Sequence, residues 1–220
     1  MDRKLFLGIL GTTLMALAGA ILLPGGRTVD KEPKLPWLIT VNPSGAVSVF
    51  GLTLGVTTLG EVRELFQEQG KANLFFSPEK ETYAIEVYFQ RIFLSGLRAD
   101  MVFTLDIDSD TASKMYERGL RISKISSGAK KIDLAAEDQD AIELTKISHI
   151  TYIPAADLDD ELIAKRFGEP AERLQEQNTD ITHWLYPERG LDIAVNPDGK
   201  EVLQYVMPEN FDQVIKPLRQ

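Results

Sequence analysis

Residues 83–107 read YAIEVYFQRIFLSGLRADMVFTLDI, and their spacing decides the class of fold. Tyr83, Ile85, Val87 and Phe89 recur at every second position, as do Leu97, Ala99, Met101, Phe103, Leu105 and Ile107. A period of two sends successive side chains to opposite faces, so this stretch predicts two antiparallel strands with one buried face.

Working outward, WLITV (37–41) and AVSVFGLTL (46–54) are strand-like, and Asn42-Pro43-Ser44-Gly45 between them supplies a turn. Thr58 and Glu61 form a capping box ahead of a helix whose apolar face is Leu59, Val62, Leu65 and Phe66, with Gly70 as its stop. Ser109 or Asp110 can cap a helix to about residue 118, and AAEDQDAIEL (135–144) can form another. KISHITYI (146–153) returns to strand. Asp157 then precedes a helix with Leu158, Leu162, Ile163 and Phe167 inward, stopped by Gly168-Glu169-Pro170. ITHWLY (181–186), LDIAV (191–195) and EVLQYVM (201–207) read as a meander. The expected fold is therefore α+β, an antiparallel sheet with packed helices. Its halves, 37–108 and 146–207, share a plan of helix, glycine stop and antiparallel strands. Either an internal duplication or two common supersecondary units in series accounts for that plan.

Ahead of this domain, residues 5–23 read LFLGILGTTLMALAGAILL, an uncharged run long enough to cross a bilayer. Ala16-Leu17-Ala18 and Ala18-Gly19-Ala20 offer cleavage sites, but Ile21, Leu22 and Leu23 continue the run beyond both. The expectation is an uncleaved transmembrane helix within an anchor of residues 1–26, a cleaved signal being the alternative. A tether (27–36) with Pro33 and Pro36 among charges follows, then a soluble domain (37–220) on the outer side of the cytoplasmic membrane.

The chain has no cysteine and only two histidines, His149 and His183, which removes disulfides, thiolate chemistry and multi-histidine metal centres. Beyond residue 26 it carries 22 basic and 32 acidic residues. That sign disfavours nucleic acid and anionic lipid headgroups as partners.

The phrases GLTLGVTTL (51–59), ISSGAKKIDL (125–134), ITYIP (150–154), RFGEPAER (166–173), HWLYPERGLDI (183–193) and GKEVLQYV (199–206) resemble a group of membrane-anchored bacterial envelope proteins to which no chemistry is assigned. More distantly, the order of helix, Gly-x-Pro stop and meander is similar to outer-membrane assembly lipoproteins of the SmpA/OmlA type and to the tandem-repeat β-lactamase-inhibitor fold. Those families imply protein binding on a sheet face. This chain lacks the lipid-bearing cysteine of the lipoproteins, so a transmembrane helix would replace their anchor.

Two constellations need weighing. Asp106, Asp108, Asp110 and Glu117 match calcium-loop spacing, yet Thr111 stands where glycine is required and a strand leads in. They read as acids gathered at a helix N-terminus. Ser127 and Lys130 match Ser-x-x-Lys without its partner motifs, within an exposed basic loop. No catalytic set, cofactor or metal site is assigned.

The expected function is a membrane-tethered, extracytoplasmic module that binds another envelope protein without catalysis. A small hydrolase or ligand-binding enzyme lacking a recognisable motif is the alternative. If Trp184 and Tyr186 fill the core, the free sheet face carries His183 and Leu185, with Arg189 in the adjoining turn. These three residues are the expected partner contacts.

Overall fold

The computed structural model describes residues 32–219. The anchor of residues 1–26 and the tether up to residue 31 lie outside the described residues. Among those described, no helix is long and apolar enough to cross a membrane.

Three short strands open the domain: β1 (Thr40–Val41), β2 (Val47–Val49) and β3 (Leu52–Thr53). The single strand expected over 46–54 is broken into two, because Phe50 and Gly51 both adopt positive φ and fold β3 back on β2. A ten-stranded antiparallel sheet follows. Its members are β4 (Lys71–Ser77), β5 (Thr82–Leu94), β6 (Leu97–Leu105), β7 (Arg121–Lys124) and β8 (Lys130–Asp133) from one half of the chain. The other half gives β9 (Ile147–Pro154), β10 (Glu172–Gln175), β11 (Thr182–Tyr186), β12 (Leu191–Val195) and β13 (Val202–Tyr205). The order is β10-β11-β12-β13-β9-β6-β5-β4-β8-β7, so the halves join where β6 pairs with β9 and form one continuous sheet.

The helices are α1 (Leu59–Phe66), α2 (Ser109–Glu117), α3 (Ala136–Ala141), α4 (Asp160–Phe167) and α5 (Phe211–Ile215). Thr58 and Glu61 complete the expected capping box of α1, with the Thr58 N–H donating to the Glu61 carboxylate at 2.7 Å. The helix stops at Gln67 in the left-handed region, ahead of the expected Gly70. Two other caps move by one or two residues from their expected places: Asp108 caps α2, and Asp159, not Asp157, caps α4. Each accepts from a backbone N–H three residues on, at 2.9 Å and 2.7 Å.

One face of the sheet holds most of the core. Ile85, Val87 and Phe89 on β5, Met101 and Phe103 on β6, Tyr152 on β9, Leu203 and Tyr205 on β13, Ile193 on β12, and Trp184 and Tyr186 on β11 are all buried there. Phe66 packs edge-on against Phe89, Phe167 meets Trp37 edge-on, and Phe50 stacks on Tyr152 with centroids 5.1 Å apart. Trp184 and Tyr186 therefore fill the core as expected.

Candidate functional site

The face left over by Trp184 and Tyr186 is not free. Phe211 and Ile215 of α5 pack on Leu185 and Val206, with Leu174, Val214 and Leu218 around them. The sequence reading placed an open face here, and the C-terminal segment overturns that expectation by covering it. Leu185 is 2% exposed and His183 5%.

His183 is held by charge as well as burial. Its Nδ1 donates to the Asp192 carboxylate at 2.9 Å, and its Nε2 lies 4.0 Å from Glu176. Burial alone would lower the imidazole pKa, but the bond to Asp192 and the fields of Asp192 and Glu176 outweigh it, so the value is raised. Asp192 is fully buried, and its carboxylate faces the imidazole. Arg189 is exposed as a residue, yet its guanidinium donates to the Phe167 carbonyl at 2.7 Å, beside Tyr186, whose hydroxyl donates to the Gly168 carbonyl at 2.8 Å. Both satisfy acceptors at the end of α4. The structure thus places Leu185 under α5, buries His183 on the same face against Asp192, and sends Arg189 to a helix terminus.

Other polar groups are similarly engaged. Lys130 Nζ donates to the Tyr116 hydroxyl at 3.1 Å and lies over the Phe76 and Tyr116 rings, while Ser127 is exposed in the β7–β8 turn. Asp108 is occupied as a cap, accepting from both the N–H and the hydroxyl of Thr111. On the uncovered outer face, Glu86 pairs in register with Thr104, and Thr104 with His149. Burial raises the Glu86 pKa and lowers that of His149, so each is biased toward its neutral form. Two strand spacings put their backbones about 10 Å apart, too far for direct proton exchange. A depression of about 810 Å³ at Asp157–Asp160 and Val195–Glu201 has carboxylates, Lys200 and apolar groups in its lining, and its Glu201 accepts from the Leu158 N–H at 2.9 Å.

The remaining feature is the other end of the sheet. β7 is the last strand, and all four of its residues are exposed. Its neighbourhood, residues 118–131, reads RGLRISKISSGAKK, with five basic residues and no acid in a chain of net charge −9. Arg118 is bound by Glu137 and Asp138. Among the described residues no ion pair engages Arg121, Lys124, Lys130 or Lys131, although Asp133 lies opposite Arg121 in register. Ile122 pairs with the buried Ile132 and so lies on the core side of the sheet, beyond the cover of the helices. It is 53% exposed, and the neighbouring Leu120 is 73% exposed. Leu120 also borders a cleft of about 520 Å³ with Arg63, Lys71, Asp133 and Glu143.

Sequence reasoning noticed the basic loop at 127–131 but not the edge strand beside it. Four residues, RISK, are too few to display a period. The molecule is thus an α+β protein with its main core on one face of the sheet, a second apolar cluster under its C-terminal segment at one end, and a sheet end left open. No protein-family model, curated protein or solved structure matches the chain.

Proposed function

We propose that this protein is a membrane-tethered, extracytoplasmic module of the bacterial envelope that binds another envelope protein, without catalysis, through the open β7 edge. The tether follows from the apolar run of residues 5–23, which fits a single-pass helix in the cytoplasmic membrane with the domain outside. The envelope setting also agrees with the resemblance of the sequence to anchored envelope proteins. The observation that carries the binding reading is the edge itself: a strand paired on one side only, bearing cations and exposed apolar side chains. Proteins ordinarily cover, shorten or purely charge such edges, because unpaired N–H and C=O groups recruit other strands. Here the charge is accompanied by Leu120 and Ile122, which purely protective design would not place there.

The test is recovery of neighbours from solubilised membranes with the tagged full-length chain and an Arg121→Glu, Lys124→Glu variant. Both positions are exposed, so the variant is expected to keep the parent's melting transition. A specific envelope protein should accompany the parent and be lost from the variant. Equal recovery from both would remove the edge as the contact.

A further inference from the structure

We propose that the β7 edge takes up an acidic, extended segment of its partner as an eleventh strand of the sheet. This rests on the reading of that edge as the contact site and adds the chemistry of what it accepts. Three observations converge on it.

The first is the direction of the free backbone groups. The Ile125 N–H donates to the Ala129 carbonyl at 2.9 Å, and these two residues continue the β7–β8 register. In an antiparallel pair, hydrogen-bonded and non-bonded positions alternate, so Arg121 and Ser123 bond inward to β8. Ile122 and Lys124 therefore turn their N–H and C=O groups away from the sheet. Two donors and two acceptors face outward at strand spacing, the arrangement that strand addition uses.

The second is the side-chain pattern on this edge. Ile122 stands on the core face, where an incoming strand would extend the apolar layer past Ile132. Arg121 and Ser123 stand on the opposite face, with Lys131 paired to Ser123. Lys124 and Lys130 lie at the far end of the ladder, on the face of Ile122. A segment that alternates apolar residues with carboxylates satisfies both faces, since opposite charges across adjacent strands attract and like charges repel.

The third is what this pattern excludes. A second copy pairing antiparallel through β7 would set Arg121 and Lys124 of one chain near those of the other, a like-charge contact that disfavours self-association. A lipid or nucleic-acid phosphate would meet the cations but leave the outward N–H groups of Ile122 and Lys124 and the exposed Ile122 side chain without partners. Because β7 spans only four residues, the contact is small and weak on its own. Confinement of both proteins to one membrane would raise their effective concentration and compensate.

The experiment uses the full chain in detergent micelles and a ten-residue peptide of alternating Glu and Val. Its Lys-Val counterpart and vesicles containing phosphatidylglycerol serve as the competing probes. Amide hydrogen exchange is followed at Ile122 and Lys124. The Glu-Val peptide should slow both amides by about tenfold or more at saturation, an effect weakened by added salt, while the Lys-Val peptide leaves them unchanged. Three variants separate charge from strand pairing. Arg121→Glu, on the face that meets the carboxylates, should weaken peptide binding by about tenfold. Lys124→Ala removes the ammonium but keeps the outward N–H, whereas Lys124→Pro removes both, which an edge strand tolerates, and should bind more weakly than Lys124→Ala while leaving the β7–β8 ladder protected.

Binding by Lys124→Pro equal to that by Lys124→Ala would overturn strand addition. Protection by vesicles but not by the Glu-Val peptide would also overturn the proposal, in favour of a lipid surface. If the peptide fails while the charge-reversed full-length chain still loses its membrane partner, the edge remains the contact and the acidic strand is wrong. If partner recovery is also unaffected, both readings fall.

Discussion

The two edge strands of the sheet, β10 and β7, are each four residues long, and each carries charge, but the charges are used differently. At the β10 end they are consumed internally: Glu172 binds Arg219 of the C-terminal segment at 2.6 Å, and Arg173 binds Glu169 while lying 4.0 Å over the Trp184 ring. Leu174 joins the apolar cluster under α5. At the β7 end, Lys124 and Arg121 engage no carboxylate at ion-pair distance among the described residues, and Leu120 and Ile122 have no helix over them. An edge whose charged and apolar side chains are engaged within the chain contributes to stability, whereas one with uncovered apolar surface is available to another chain.

The contrast can be broken most severely at the closed end. Phe211→Ala removes the central side chain of the α5 cluster and should destabilise the domain by about 3–5 kcal/mol, read as a shift in the urea midpoint. An unchanged midpoint would mean that α5 does not cover Leu185. Next in size, Asp192→Asn keeps the shape of the side chain but removes the charge facing His183, at an expected cost of about 1.5–3 kcal/mol near pH 6. A neutral result would show that the pair is not charge-assisted.

The two histidines sharpen the comparison through pH. His183 is held above its ordinary value of about 6.5, so its pair with Asp192 stabilises fully below that pH. That contribution is lost as pH rises through the folded value. His149, on the uncovered face, is shifted the other way by burial, so its contribution is present above about pH 6.5 and lost as pH falls through its lowered value. Two imidazole resonances should therefore titrate on opposite sides of about pH 6.5, and His183→Gln should remove the higher one. Loss of the lower one instead would reverse the assignment.

The legible parts of this fold were those with a long period or a complete local signature. Alternation over 83–107 and the strand-like run 146–153 marked the sheet centre, the Thr58–Glu61 pair marked α1, and Gly168 marked the end of α4 with φ +81°. Trp184 and Tyr186 were also assigned to the correct face. The illegible parts were short. The five residues of α5 make little more than one turn, too few to show an amphipathic period, and missing them turned His183 and Leu185 into an apparently free surface. At the other end, β7 and β8 are four residues each and rich in lysine, so only the pairing with β4 makes them strands. Tertiary context, not local preference, decided both ends of the sheet.

The smallest expected stability effect belongs to the open end. Ile122→Ser should move the unfolding free energy by no more than about 0.5 kcal/mol, because the side chain is half exposed and touches no covering element. A loss comparable to that of Phe211→Ala would show Ile122 to be core.

The most direct test of the account exploits the absence of cysteine in the chain. Single cysteines placed by Ile122→Cys at the open edge and Glu172→Cys at the closed one carry a photoreactive group in intact membranes. The account predicts a discrete crosslinked partner from position 122 and none from 172. The same partner from 172 with none from 122 would contradict it.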